Sequence, residues 1–225
     1  MKITWLGQAG LLLEANGLSV MVDPYLSNSC GEANPKSYRR VAVDLTYLAC
    51  NPDVIVLTHD HLDHTDEQTL SHFLTEDSCR LVLAAPNAWN HVRRFGGAHN
   101  YVRFSRGTTW TQGALCFRAV HAEHSDTEAI GVIVDDGAKK YYITGDTLYN
   151  EAIFAQLPTD IDTVLIPING KGNNLNAADA VRFCARIGAR HAVPLHYGML
   201  DDLTPDAFDA PNRVIARVYE PIDLD

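Results

Sequence analysis

Three histidines and two aspartates fall within six residues, His59-Asp60-His61-Leu62-Asp63-His64. Imidazole nitrogens and carboxylate oxygens at this density make a metal-binding set, and the mixture suits zinc, manganese or iron. More metal-type side chains follow apolar runs later in the chain. His121 and His124 come after residues 114–120, Asp146 after 140–144, and His196 after 192–195. No single one of these residues is persuasive. The joint pattern is, because each sits where a strand-like run ends. Strand ends along one sheet edge converge, and ligands of open α/β sheets collect there.

The elements that must position these residues can be read outward from the cluster. Val54-Ile55-Val56-Leu57 is a short apolar run rich in β-branched side chains and reads as a buried strand. Thr65 reads as the N-cap of a following helix, with Gln68 completing a capping box. The cluster therefore belongs on a strand-to-helix loop. Strands are expected over residues 3–6, 11–14 and 18–22, with Asn16-Gly17 as a hairpin turn and an antiparallel start. Residues 27–40 read as an irregular loop, either solvated surface or a flap over substrate. Helices are expected over 43–50, 66–74 and 88–94, and strands over 81–84 and 101–104. The rest alternates strands at 114–120, 130–134, 140–144, 163–166 and 192–195 with a helix capped by Asn176, and residues 214–219 close the chain. This order implies an α/β (α+β) layered fold.

A chain of 225 residues, 46% of them hydrophobic, can build one domain over 1–225. The net charge of −10 disfavours a nucleic-acid partner, since phosphate backbones are repelled. Five scattered cysteines without a CxxC pair argue for a reducing compartment. No long apolar span or signal-like start is seen, so the expected address is the cytoplasm, with no membrane partner. His72, His91, His99 and His191 read as surface or core-edge residues, and Trp5, Trp89 and Trp110 as packing.

The HxHxDH run after a buried strand, the later His, Gly145-Asp146 and Pro194-Leu195-His196-Tyr197-Gly198 resemble the metallo-β-lactamase superfamily. The segments Thr4-Trp5-Leu6-Gly7-Gln8-Ala9-Gly10, Val22-Asp23-Pro24-Tyr25-Leu26-Ser27 and Pro167-Ile168-Asn169-Gly170 resemble its L-ascorbate-6-phosphate lactonase branch. The resemblance implies a four-layer αββα sandwich of two similar halves with two divalent metals on one edge. It implies His59, His61 and a later His on one metal, Asp63, His64 and His196 on the other, and Asp146 between them. For the later His, both His121 and His124 are available. The family pattern of small residue, any residue, His matches Ala122-Glu123-His124 and favours His124. Asp23 matches the family's first-motif aspartate, which orients a ligand His.

The implied reaction is hydrolysis by a hydroxide activated between two ions, acting on a small ester, a lactone ahead of a phosphodiester. Asp146 would orient the hydroxide, and metal-bound water, Asp63 or a pocket side chain such as His121 would protonate the leaving oxygen. Gln8, Asn169, Lys171, Arg39 and Arg40 are candidate substrate contacts, the cations for a phosphate. The alternatives are a phosphodiesterase or nuclease of the same fold, and a metal-stabilised binding protein without turnover. A homo-oligomer is compatible with the resemblance.

Overall fold

A computed structural model describes residues 1–225. The first six strands form one sheet in sequence order: β1 (Lys2–Gly7), β2 (Gly10–Ala15), β3 (Leu18–Val22), β4 (Val54–Leu57), β5 (Leu81–Ala84) and β6 (Asn100–Arg103). β1 to β3 pair antiparallel through tight turns, and β3 to β6 run parallel. The second sheet holds β7 (Thr109–Gln112), β8 (Leu115–His121), β9 (Ile130–Asp135), β10 (Lys140–Ile143), β11 (Ile161–Pro167) and β12 (His191–Leu195), again with sequence neighbours side by side. It too begins antiparallel and ends parallel, from β10 to β12.

Alternation along the strands builds the layers. Val20 and Val22, Val54 and Val56, and Leu81 and Leu83 join the core shared with the second sheet. Their neighbours Met21, Ile55, Leu57, Val82 and Ala84 face the other way, onto Leu70, Phe73, Ala88 and Val92. Those four belong to α3 (Glu67–Phe73) and α4 (Pro86–Val92), the crossovers of the parallel strands. On the second sheet, α6 (Ala177–Ile187) buries Ala180, Phe183 and Cys184. Phe183 meets the rings of Tyr142 and Phe154, the latter in α5 (Glu151–Phe154). Two helical layers thus enclose two sheets, the expected αββα sandwich. No helix is long and apolar enough to cross a membrane.

Several local expectations change. The N-cap of α3 is Asp66, whose carboxylate accepts the Thr69 N–H at 3.2 Å. Thr65 instead donates its hydroxyl to the His59 carbonyl at 2.8 Å, closing the histidine-rich loop. Gln68 forms no capping box and donates to Glu32 at 2.7 Å. Residues 27–40 contain α1 (Ser29–Ala33) and a 3₁₀ turn at Pro35–Ser37, and residues 43–50 form only the single turn α2 (Leu45–Leu48). β7 and α5 lie outside the expected elements. Residues 214–219 form no strand and touch the first sheet through one isolated bridge, Trp5 to Val218.

Candidate metal centre

The ends of β3, β4, β8, β10 and β12 deliver the chemistry-bearing side chains to one edge. Just past β4, His59 and His64 are fully buried. Three overlapping groups result, each with ligand atoms within 4.8 Å of one another: His59, His61 and His124; His59, His64 and Asp146; Asp63, His64 and His196. The seven residues named for two metals therefore come together, four from the first sheet's loop and three from the second sheet's strand ends.

Outer hydrogen bonds fix the rings. The His64 Nδ1–H donates to Asp23 Oδ2 at 2.8 Å, which turns its Nε2 towards His196 Nε2 at 3.4 Å. Thr58 joins the same carboxylate: its backbone N–H donates to Asp23 Oδ1 at 2.8 Å and its hydroxyl to Oδ2. The Thr58 oxygen lies 3.1 Å from His59 Nδ1 and can accept that N–H. Asp23 thus orients one ligand directly and another through Thr58, a residue that sequence reasoning passed over. His124 places Nδ1 3.1 Å from the Asn173 carbonyl, leaving Nε2 3.2 Å from His61 Nδ1. Gln8 Nε2 donates to Asp63 Oδ2 at 2.8 Å.

The residues fit a cation. His59 Nε2 and Asp146 Oδ1 are buried without a hydrogen-bond partner, and buried polar atoms are rarely left so. Charge is finely opposed here. Burial resists charge on His64, yet the carboxylates of Asp146, Asp63 and Asp23 outweigh it and hold its pKa well above the ordinary value. Burial also opposes charge on His196, but Asp146 and Asp63 push it up to about 10. Burial would raise Asp146, and the facing His196 and His64 drive it well below the carboxylate range instead. His59 and His124 move down, burial being the main cause.

A cavity of about 590 Å³ opens over the cluster. Gln8, Asn169, Arg40 and Lys171 line it, as do Lys36 and Asn174, which the sequence reading did not single out. Asn169 Oδ1 is buried there without a partner. Arg40 pairs with Asp202 at 2.6 Å at the rim. Two expected roles are not met by position. The Arg39 guanidinium donates to the carbonyls of Val41 at 2.8 Å and Tyr25 at 2.6 Å and to the Tyr219 hydroxyl at 2.6 Å, so it ties loops together away from the cavity. His121 ends β8, belongs to none of the three groups, and has its Nε2 3.4 Å from Glu123. His91, read as a bland surface residue, sits between Asp60 at 2.7 Å and Glu67 at 2.6 Å and ties the histidine-rich loop to α3 and α4. It lines a second polar cavity of about 510 Å³ that shares His61 with the first.

Comparison with known proteins agrees with this architecture. The model of the β-lactamase superfamily domain matches residues 19–197. A UPF0173 metal-dependent hydrolase of Carboxydothermus hydrogenoformans is 27% identical over 208 residues, covering 88% of this chain and 84% of that protein. Among solved structures, the isothiocyanate hydrolase from Delia radicum gut bacteria superposes with a TM-score of 0.77 at 19% identity, covering 99% of both chains. Igni18, a metallo hydrolase from Ignicoccus hospitalis, gives 0.75 at 18% identity over 98% of this chain and 96% of its own. At such identities the two structures speak for the fold alone. With the family model spanning most of the chain and the histidine-rich loop inside the match, this protein belongs to the metallo-β-lactamase superfamily.

Proposed function

We propose that this protein is a metal-dependent hydrolase of a small ester, a lactone bearing an anionic group such as phosphate, acting in the cytoplasm. The observation that carries the reading is the convergence of seven nitrogen and oxygen ligands, two of them with orphaned buried atoms, beneath a polar cavity. His59, His61 and His124 would hold one divalent ion and Asp63, His64 and His196 a second, with Asp146 shared. Bound zinc, manganese or iron would activate water as the nucleophile and polarise the substrate carbonyl.

The chain's own groups divide the remaining work. Lys36, Arg40 and Lys171 give the cavity its cations, and an anionic substituent held by them would place the scissile carbonyl over the cluster. Gln8 donates its amide N–H to Asp63 Oδ2 at 2.8 Å and so orients that carboxylate; the proton released as water is activated would pass to Asp63 and from there to the leaving oxygen. The named hydrolase relatives support the reaction class. The lactone rests on the branch resemblance, and the net charge of −10 argues against long nucleic acid.

The test is elemental analysis of the purified protein together with a panel of lactones, phosphorylated lactones and phosphodiesters. About two metals per chain with turnover of phosphorylated lactones is the expected result. Turnover of phosphodiesters alone would replace lactone with phosphodiester. Metal without turnover on any of them would move the protein to a metal-stabilised binding role.

A further inference from the structure

The segment from β11 to α6 carries four asparagines, Asn169, Asn173, Asn174 and Asn176. Asn174 is 5% exposed and lines the cavity. Its Oδ1 accepts the backbone N–H of Thr147 at 3.0 Å. A backbone N–H needs an acceptor, so this contact fixes which end of the amide is oxygen. The Nδ2 end is thereby directed at Asp146, donating to its Oδ2 at 2.6 Å. The other carboxylate oxygen, Oδ1, is buried without a hydrogen bond and faces His64 Nε2 at 3.4 Å. The amide therefore distinguishes the two oxygens of the residue that lies between the two ligand groups.

We propose that Asn174 is a positioning residue of the metal centre: its amide locks the Asp146 carboxylate so that Oδ1 is presented to the metal. The inference rests on the metal-site reading above and adds a residue to it. The same segment grips a second ligand, since the Asn173 carbonyl accepts the Nδ1–H of His124. Asn173 has φ +63°, a left-handed conformation that asparagine tolerates better than most residues. The segment is itself anchored: the Leu175 N–H donates to the Thr147 carbonyl at 2.9 Å, and the Gly170 N–H to the Leu175 carbonyl at 3.0 Å. One short loop thus orients a ligand in the His59–His61–His124 group and another in the His59–His64–Asp146 group.

Asparagine is the side chain this geometry demands. Aspartate at 174 would still accept the Thr147 N–H but would face Asp146 with a second carboxylate oxygen. Alanine would do neither. The experiment is a titration of metal-depleted wild type, Asn174→Asp and Asn174→Ala with cobalt(II), read by the visible ligand-field bands, with far-ultraviolet circular dichroism of the metal-free proteins as the fold control. Outer partners of metal ligands are worth about 10–100-fold in affinity, so both variants should bind cobalt weaker by that factor and with shifted bands. Wild-type affinity and spectrum in Asn174→Asp, or tighter binding, would overturn the proposal. Weakening confined to Asn174→Ala would also overturn it, because the side chain would then serve only the Thr147 contact. If wild type itself takes up no cobalt, the metal-site reading fails, an outcome distinct from any difference between the variants.

Discussion

At the scale of single residues, Asp23 ties a ligand histidine to the strand end that precedes the histidine-rich loop. It takes the N–H of His64, the backbone N–H of Thr58 and the Thr58 hydroxyl, all in buried surroundings. Removing it would leave several buried donors unpaired, each costing about 1–3 kcal/mol. Asp23→Ala should therefore lower both the melting temperature and the metal content, whereas His61→Ala should lose metal and turnover and keep its circular dichroism. A pH dependence also belongs here. In metal-depleted protein, His64 and His196 are held protonated by their carboxylate neighbours. Their folded pKa values exceed the unfolded value of about 6.5, so this stabilisation is complete below that pH and fades as pH climbs through the His196 value near 10. Melting temperature of the metal-free protein should fall over that window. Because ligand histidines must lose their protons to bind metal, calorimetric loading near pH 7 in buffers of different ionisation enthalpy should report proton release.

Among the elements, α6 links the asparagine-rich loop to β12 and His196. Its ends are set by Asn176, whose side chain accepts the Asp179 N–H at 2.9 Å, and by left-handed Gly188. Its anchor is Phe183, fully buried against Tyr142, Tyr149 and Phe154. Phe183→Ala should cost about 3–5 kcal/mol in chemical denaturation. This helix is legible in sequence from its Asn176 cap. The strands β3, β4 and β5 are legible too, each as a compact apolar run. Elsewhere the local signals conflict. Thr65 and Asp66 are both good caps, and only the tertiary demand of the His59 carbonyl on Thr65 decides between them. β7 is an edge strand whose residues alternate between exposed and half-buried, and it offers no strong apolar run. Arg39 and Arg40 are adjacent and chemically alike. One faces the cavity and the other is consumed by carbonyls, which depends on contacts as distant as Tyr219. Thr58, Lys36 and Asn174 carried no motif of their own, since a hydroxyl or an amide gains its role here only from the partner that folding brings.

For the whole molecule, the decisive fact is that the ligands come from both sheets. His64 and His196 are 132 positions apart, and their ring nitrogens meet at 3.4 Å. A cation there would bind the folded chain and not the unfolded one, and would stabilise it by about 2.7 kcal/mol at a free concentration one hundred times its Kd. Chelation should therefore lower the melting temperature, and re-addition of metal should restore it in a concentration-dependent way.

The seam between the sheets has one more consequence, on the timescale of the cell. Chains that open are exposed to proteases, and modest changes in stability alter protein abundance severalfold. A cation held between the two sheets would couple the lifetime of the chain to metal supply. Under starvation for the metal the cell would lose the activity twice over, first by emptying the site and then by clearing the chain that carries it.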